Sequence, residues 1–168
     1  MTFHQAIITC LRKYFTFSGR ASRSEYWWFF LFCLLGGAIS GAVEGLVNGL
    51  TGDENGPTLL SGAFNLATFI PSLAAGFRRM HDSGRSGLYL FYPAVAIIGL
   101  GLFLSMTGTA EALQGEDPAT LFEGAFGLLV AGALLVVAIS PFIVLWWLAR
   151  PSQPGQNQYG PNPHEVLT

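Results

Sequence analysis

Four apolar stretches divide the chain: Trp27 to about Val47, Leu59 to Phe77, Leu88 to Met106, and about Ala125 to Leu148. Each is near the ~20 residues that a helix needs to cross a ~30 Å hydrocarbon core. Lipid offers the backbone no hydrogen-bond partner, so such segments cross as helices that satisfy their own amides and carbonyls. The pattern predicts an all-α membrane protein with four transmembrane helices over about 25–48, 59–78, 87–106 and 124–149, then a tail at 150–168. The 168 residues amount to one integral-membrane domain.

Charge then orients these helices. Arg12, Lys13, Arg20 and Arg23 precede the first span, Arg78, Arg79 and Arg85 lie between the second and third, and Arg150 follows the fourth. The two remaining loops have no basic residue and hold Asp53, Glu54, Glu111, Glu116, Asp117 and Glu123. Short loops rich in Lys and Arg stay inside, so both termini are expected in the cytoplasm. The 11% charged content is far from the roughly 25% of soluble domains. Sorting of the charges by side weighs further against a soluble protein with several buried helices. The first apolar run begins too late, after a polar basic segment, for a cleavable signal peptide. Cys10 and Cys33 fall on the inner side or in the inner leaflet, where no disulfide is expected. Neither joins a CxxC or a His/Cys cluster, so no metal site is implied.

Ahead of the first span, Phe3, Ile7, Leu11 and Tyr14 recur at helical spacing, with His4, Gln5, Arg12 and Lys13 opposite. This pattern fits a short amphipathic helix lying in the inner interface, and equally one packed on the end of the bundle. Ser22-Arg23-Ser24-Glu25 has the spacing of a capping box, with the Ser22 hydroxyl accepting from the Glu25 amide and the carboxylate reaching back. All four Trp residues, Trp27, Trp28, Trp146 and Trp147, fall at one predicted interface, where amphipathic rings are favoured. Gly37, Gly41, Gly45 and Gly49 form a stripe that permits close helix approach. On the second span Ser61, Asn65, Thr68 and Ser72 form one polar face that should point into the bundle, with Glu44 at matching depth as a partner for Ser61 and Asn65. Pro71 and Pro141 lie inside spans and are expected to kink them. Ser18-Gly19-Arg20 and Ser83-Gly84-Arg85 echo each other ahead of the first and third spans, the trace expected of a duplicated helix pair.

Candidate chemistry gathers at the inner face, in Arg20, Arg23, Glu25 and the run Arg78-Arg79-Met80-His81-Asp82-Ser83-Gly84-Arg85-Ser86-Gly87. Helix N-termini with adjacent guanidiniums suit a phosphate or carboxylate, and an anionic lipid headgroup is the natural anion at that depth. The bland reading, in which the arginines hold topology and the Ser and Gly residues shape caps and turns, is the commoner outcome for such sequences. His81-Asp82 raises a membrane enzyme acting on lipid phosphate, but a metal-dependent hydrolase would need further His and Asp ligands. No HExxH, GxSxG, GxxxxGK[ST] or GxGxxG occurs, so no catalytic residue and no cofactor is assigned. Eight basic residues, mostly serving topology, do not make a nucleic-acid face. A small channel or transporter lined by Ser61, Asn65, Thr68 and Ser72 is a further reading, although no ionisable group sits at the midplane.

Three blocks carry a family resemblance: Tyr14-Phe15-Thr16-Phe17-Ser18-Gly19-Arg20-Ala21-Ser22-Arg23-Ser24-Glu25-Tyr26-Trp27, then Pro71 with Arg78 through Gly87, then Asn157-Gln158-Tyr159-Gly160-Pro161-Asn162-Pro163. In these the chain resembles the DUF805 family of small bacterial inner-membrane proteins, with Gln158 standing where that family's tail carries a basic residue. The resemblance implies a multi-pass protein of the bacterial inner membrane and a shared inner-face module, and it implies no function. The tail from Asn157 to Pro163 is expected to fold back over that face, with Tyr159 packing on it. The resulting expectation is a non-enzymatic scaffold or accessory protein. Its inner face, made of Arg20, Arg23, Arg78, Arg79, His81, Asp82 and Arg85, would meet anionic membrane lipid, a membrane-protein partner or a second copy.

Overall fold

The computed structural model describes residues 1–52, 56–107 and 124–165, and in them every regular element is helical. The acidic loop residues Asp53, Glu54, Glu111, Glu116, Asp117 and Glu123 lie outside the described residues. Helices α1 (Phe3–Arg12), α2 (Arg23–Thr51) and α3 (Leu59–Asp82) are followed by a 3-10 turn over Gly87–Phe91, then α4 (Tyr92–Met106) and α5 (Gly124–Ala149). Four segments are long and apolar enough to cross a membrane: Arg23–Thr51, Leu59–Asp82, Gly87–Met106 and Phe126–Ala149. The third begins as a tighter turn, and Pro93 follows in the first turn of α4, where its missing amide costs no helical bond.

The chain forms two compact units. One comprises Met1–Gly87 with Pro151–Thr168, the other Leu88–Arg150. In the second, Tyr89 meets Trp147 edge-on at 5.4 Å and Phe103 stacks on Phe126 at 5.7 Å, so α4 and α5 run antiparallel. The Arg150 guanidinium lies 4.9 Å over the Trp146 ring, a cation held against the face of an indole at the helix end.

In the first unit α2 and α3 are also antiparallel, joined by a polar contact at each of three depths. Glu25 meets Arg78 at 3.0 Å, Cys33 meets Ser72 at 3.3 Å, and Glu44 Oε2 accepts from the Ser61 hydroxyl at 2.5 Å. The other Glu44 oxygen accepts from the Leu60 amide and from the Ser61 amide at 3.2 Å. Thr58, the N-cap of α3, gives no side-chain cap. Glu44 therefore caps α3 from the neighbouring helix, supplying an acceptor to amides that the helix itself leaves open. Asn65, also proposed as its partner, instead lies exposed beside Gly37.

Close approach of α2 and α3 uses a glycine outside the predicted stripe. A methyl group at Gly36 would stand 2.2 Å from the Phe64 ring, whereas at Gly41, Gly45 and Gly49 it would meet nothing. Helix α1 lies across α2 and α3 and buries Ala6 and Cys10, while Phe3 and Leu11 of its larger apolar stripe stay exposed. Small side chains let α1 approach closely, so packing selects the face one position before the one that hydrophobicity marks. Cys10, Phe29 and Ala75 form the buried cluster where the three helices meet, and the Tyr14 hydroxyl donates to the Ala67 carbonyl at 2.8 Å.

Replacing Glu44 with Leu should lower the denaturation midpoint in detergent and expose the start of α3 to hydrogen exchange, with Glu44→Gln between. Unchanged exchange at Leu60 and Ser61 would show that α3 begins without that cap.

Candidate functional site

The sequence stops the second span near Phe77, but α3 continues through Asp82. One more turn brings Arg78, Arg79, His81 and Asp82 into the protein instead of a loop, and all four are buried. The helix then ends in a Schellman motif: Gly84 N donates to His81 O at 3.0 Å and Arg85 N to Met80 O at 3.0 Å. Gly84 takes the left-handed φ of 77° that this cap requires. A methyl group there would also stand 2.6 Å from Gln153 Oε1. Its counterpart in the internal echo, Gly19, is left-handed too, at φ 86°.

Asp82 is the hub, with its side chain 0% exposed. One carboxylate oxygen accepts from Arg20 Nε at 2.9 Å. The other accepts from Arg79 Nη1 and from the Ser152 hydroxyl, the latter at 2.5 Å. Its carbonyl accepts from Gln153 N at 2.9 Å. Arg20 fans out over the tail, Nη2 donating to Gln153 O at 2.5 Å and Nη1 to Gly155 O at 2.7 Å. The tail thus enters as backbone carbonyls that saturate a guanidinium. Pro and Gly leave those carbonyls outside any helix or sheet ladder.

His81 completes the strap. Its ring stacks on Tyr159 with centroids 3.8 Å apart and planes 4° from parallel. His81 Nδ1 donates to Gly19 O at 3.1 Å, which fixes the tautomer because a carbonyl can only accept. Asn157 Nδ2 donates to His81 O at 2.9 Å, and a turn closes from Asn157 to Gly160. The packing of Tyr159 on the inner-face run, expected from the tail motif, is present.

A second pair adjoins this hub. Ser22 Oγ accepts from the Glu25 amide at 3.2 Å, as the capping spacing predicts, but the Glu25 carboxylate does not reach back. It accepts from Arg78 Nη2 at 3.0 Å, because a buried carboxylate is better compensated by a guanidinium than by an amide. A complete capping box forms instead at Thr2 and Gln5. Arg78 Nη1 donates to Thr16 O at 2.6 Å, while Arg78 Nε is buried without an acceptor. Cys10 lies 3.9 Å from both Arg78 Nη2 and Glu25 Oε1. Burial, aided by the Glu25 charge, pushes the Cys10 thiol up to about 12.

The predicted inner-face residues therefore separate. Arg20, Arg78, Arg79, His81 and Asp82 converge in the buried clasp, Arg85 is half-buried with Nη1 donating to Ser83 O at 3.2 Å, and Arg23 is exposed. Ser152, Gln153, Gly155 and Cys10 belong to the clasp and were not singled out by sequence. Their signal was only the Pro-Gly composition of the tail and a Cys at the helical spacing of Ala6. In the polar face of α3, Ser61 binds Glu44, Ser72 binds Cys33, and Thr68 donates to Phe64 O at 2.8 Å. Among the described residues no group of three His, Cys, Asp or Glu side chains is placed to hold a metal ion.

Asp82→Ala strands Arg20 and Arg79 without their carboxylate and should cost about 3–5 kcal/mol, the scale of breaking a buried pair from one side. Limited proteolysis within 151–160 should accelerate at the same time; a tail equally protected in the variant would refute the strap. In a Cys33→Ser background, maleimide at pH 8 should leave Cys10 unmodified until the protein is denatured. The raised thiol keeps stability intact below its ordinary pKa of 9.0, and that contribution is lost as pH rises toward about 12.

Residues 14–161 match the family described as a protein of unknown function, DUF805. Over 118 residues the chain is 39% identical to the inner membrane protein YhaI of Escherichia coli, covering 68% of this chain and 95% of that one. It is 31% identical to the inner membrane protein YhaH of the same organism over 114 residues, 64% of this chain and 91% of that one. No solved structure matches. With its four apolar helices and these relatives, the chain is a multi-pass inner-membrane protein and belongs to the DUF805 family.

Proposed function

We propose that this is a non-enzymatic membrane scaffold, with its basic end in the cytoplasm, that holds anionic lipid headgroups against a rigid, strapped platform. The observation that carries this reading is a division of labour among the cations. Arg20, Arg78 and Arg79 are buried against Asp82, Glu25 and tail carbonyls, whereas Arg12, Lys13 and Arg23 are exposed and have no carboxylate paired with them among the described residues. The buried set builds the platform and the exposed set faces outward.

Placement of this end in the cytoplasm rests on the sorting of Lys and Arg. The amino-terminal segment and the tail meet directly at Arg20 and Gly155, which supports both ends lying on one side. Exposed Phe3 and Leu11 on α1, with Arg12 and Lys13 beside them, support a helix lying in the headgroup layer. His81 and Asp82 are engaged in stacking and ion pairing, which favours the structural role over hydrolysis of lipid phosphate. The polar face of α3 binds α2 at Glu44 and Cys33, which favours packing over a channel lining.

Native mass spectrometry from detergent tests the reading. The parent should retain phosphatidylglycerol or cardiolipin, and an Arg12→Gln/Lys13→Gln/Arg23→Gln variant should lose most of it while keeping its helix content. Equal retention by a folded variant would overturn the headgroup role. Arg78→Gln or Arg79→Gln is a poor probe, since either removes one partner of a buried pair.

A further inference from the structure

A groove of about 520 Å³ lies along the first turns of α2, lined by Arg23, Ser24, Trp27, Trp28 and Leu31. Its size falls within the roughly 300–1,000 Å³ of small-molecule sites. Arg23, Trp27 and Leu31 are four residues apart, so they stack along one helix face over about 12 Å. The groove is therefore polar and cationic at one end and apolar along the rest. Phe3 of α1 packs edge-on against Trp28 at 5.8 Å.

We propose that this groove binds a single phospholipid with an anionic headgroup, its phosphate on Arg23 and the first methylenes of one chain along Trp27, Trp28 and Leu31. This inference rests on the headgroup reading above and assigns it to one place. Charge complementarity selects the occupant. Arg23 is exposed with no carboxylate partner among the described residues. The two indoles favour the membrane interface, the depth at which a headgroup and the start of its chain are found. Arg12 and Lys13 are exposed as well, but neither is among the residues that line this groove. A soluble anion would use only the Arg23 end, whereas a phospholipid uses the whole length.

The test reads the groove through its own fluorescence. Of the four Trp residues, Trp146→Phe and Trp147→Phe leave only Trp27 and Trp28. This protein, in phosphatidylcholine vesicles, receives increasing fractions of phosphatidylglycerol brominated on its acyl chains. Quenching should exceed that from equally brominated phosphatidylcholine, and Arg23→Gln should reduce the preference roughly five-fold, the scale of one cation's attraction to an anionic surface. Arg23→Lys should keep most of it. Leu31→Ser, which leaves every charge in place, should weaken quenching by the brominated chain. If Arg23→Gln and Leu31→Ser both quench like the parent, the groove is not the site. Loss of lipid from the triple variant in the mass-spectrometric experiment would then leave the general headgroup role standing. No preference for phosphatidylglycerol in the parent, with equal lipid retention by the triple variant, would overturn both.

Discussion

The Asp82 side chain is 0% exposed, so several donors must replace the hydration it gives up, since the effective penalty of burying one charge is several kcal/mol. Arg20, Arg79 and the Ser152 hydroxyl supply those donors. Each comes from a different part of the chain: the linker before α2, the last turn of α3 and the tail after α5. Compensating one carboxylate therefore draws together three segments that sequence holds apart. Arg20 in turn needs acceptors beyond Asp82, and the carbonyls of Gln153 and Gly155 provide them. The strap is the consequence of two buried charges each completing the other's hydrogen bonding.

The same logic repeats at lower stakes along α2 and α3. In a helix pair exposed to lipid, apolar contact gives little reason for one register over another, because lipid chains are as apolar as the side chains. Polar contacts supply the register. Glu25 with Arg78, Cys33 with Ser72 and Glu44 with Ser61 succeed one another along the pair, and a shift by one residue would break all three. Phe64 against Gly36 then sets how closely the helices approach. Glu44 is economical in this scheme, since one carboxylate both fixes register and caps α3.

In the headgroup role proposed above, function at the basic end depends on which cations remain after these demands are met. A guanidinium holding two carbonyls and a carboxylate has little capacity left for a headgroup, whereas Arg23 at the mouth of an aromatic groove retains its donors. Under that proposed role, rigidity and recognition fall to different arginines within a few residues of each other. A platform held by the clasp keeps Arg23, Trp27 and Leu31 in fixed relation, which a loose helix end would not.

The four spans, the sorting of charge and the cap at Ser22 were legible in the sequence, because each depends on local composition or short spacing. Hydrocarbon thickness sets span length, and a Ser three residues before Glu25 is enough for one hydroxyl to meet one amide. The return of Tyr159 to the inner-face run was expected as well, though only through the family resemblance of the tail block. Tertiary structure alone decided where the long side chains end. Arg78, Arg79 and Arg23 are alike in composition and equally suited to a cytoplasmic loop, yet two are buried and one is not. The end of α3 likewise moved from Phe77 to Asp82, since helix continues wherever its charges find partners. Those partners, Glu25, Ser152 and the tail carbonyls, are distant in sequence. Burial of a charge is settled by what stands across from it, and no pattern along a single chain segment records that.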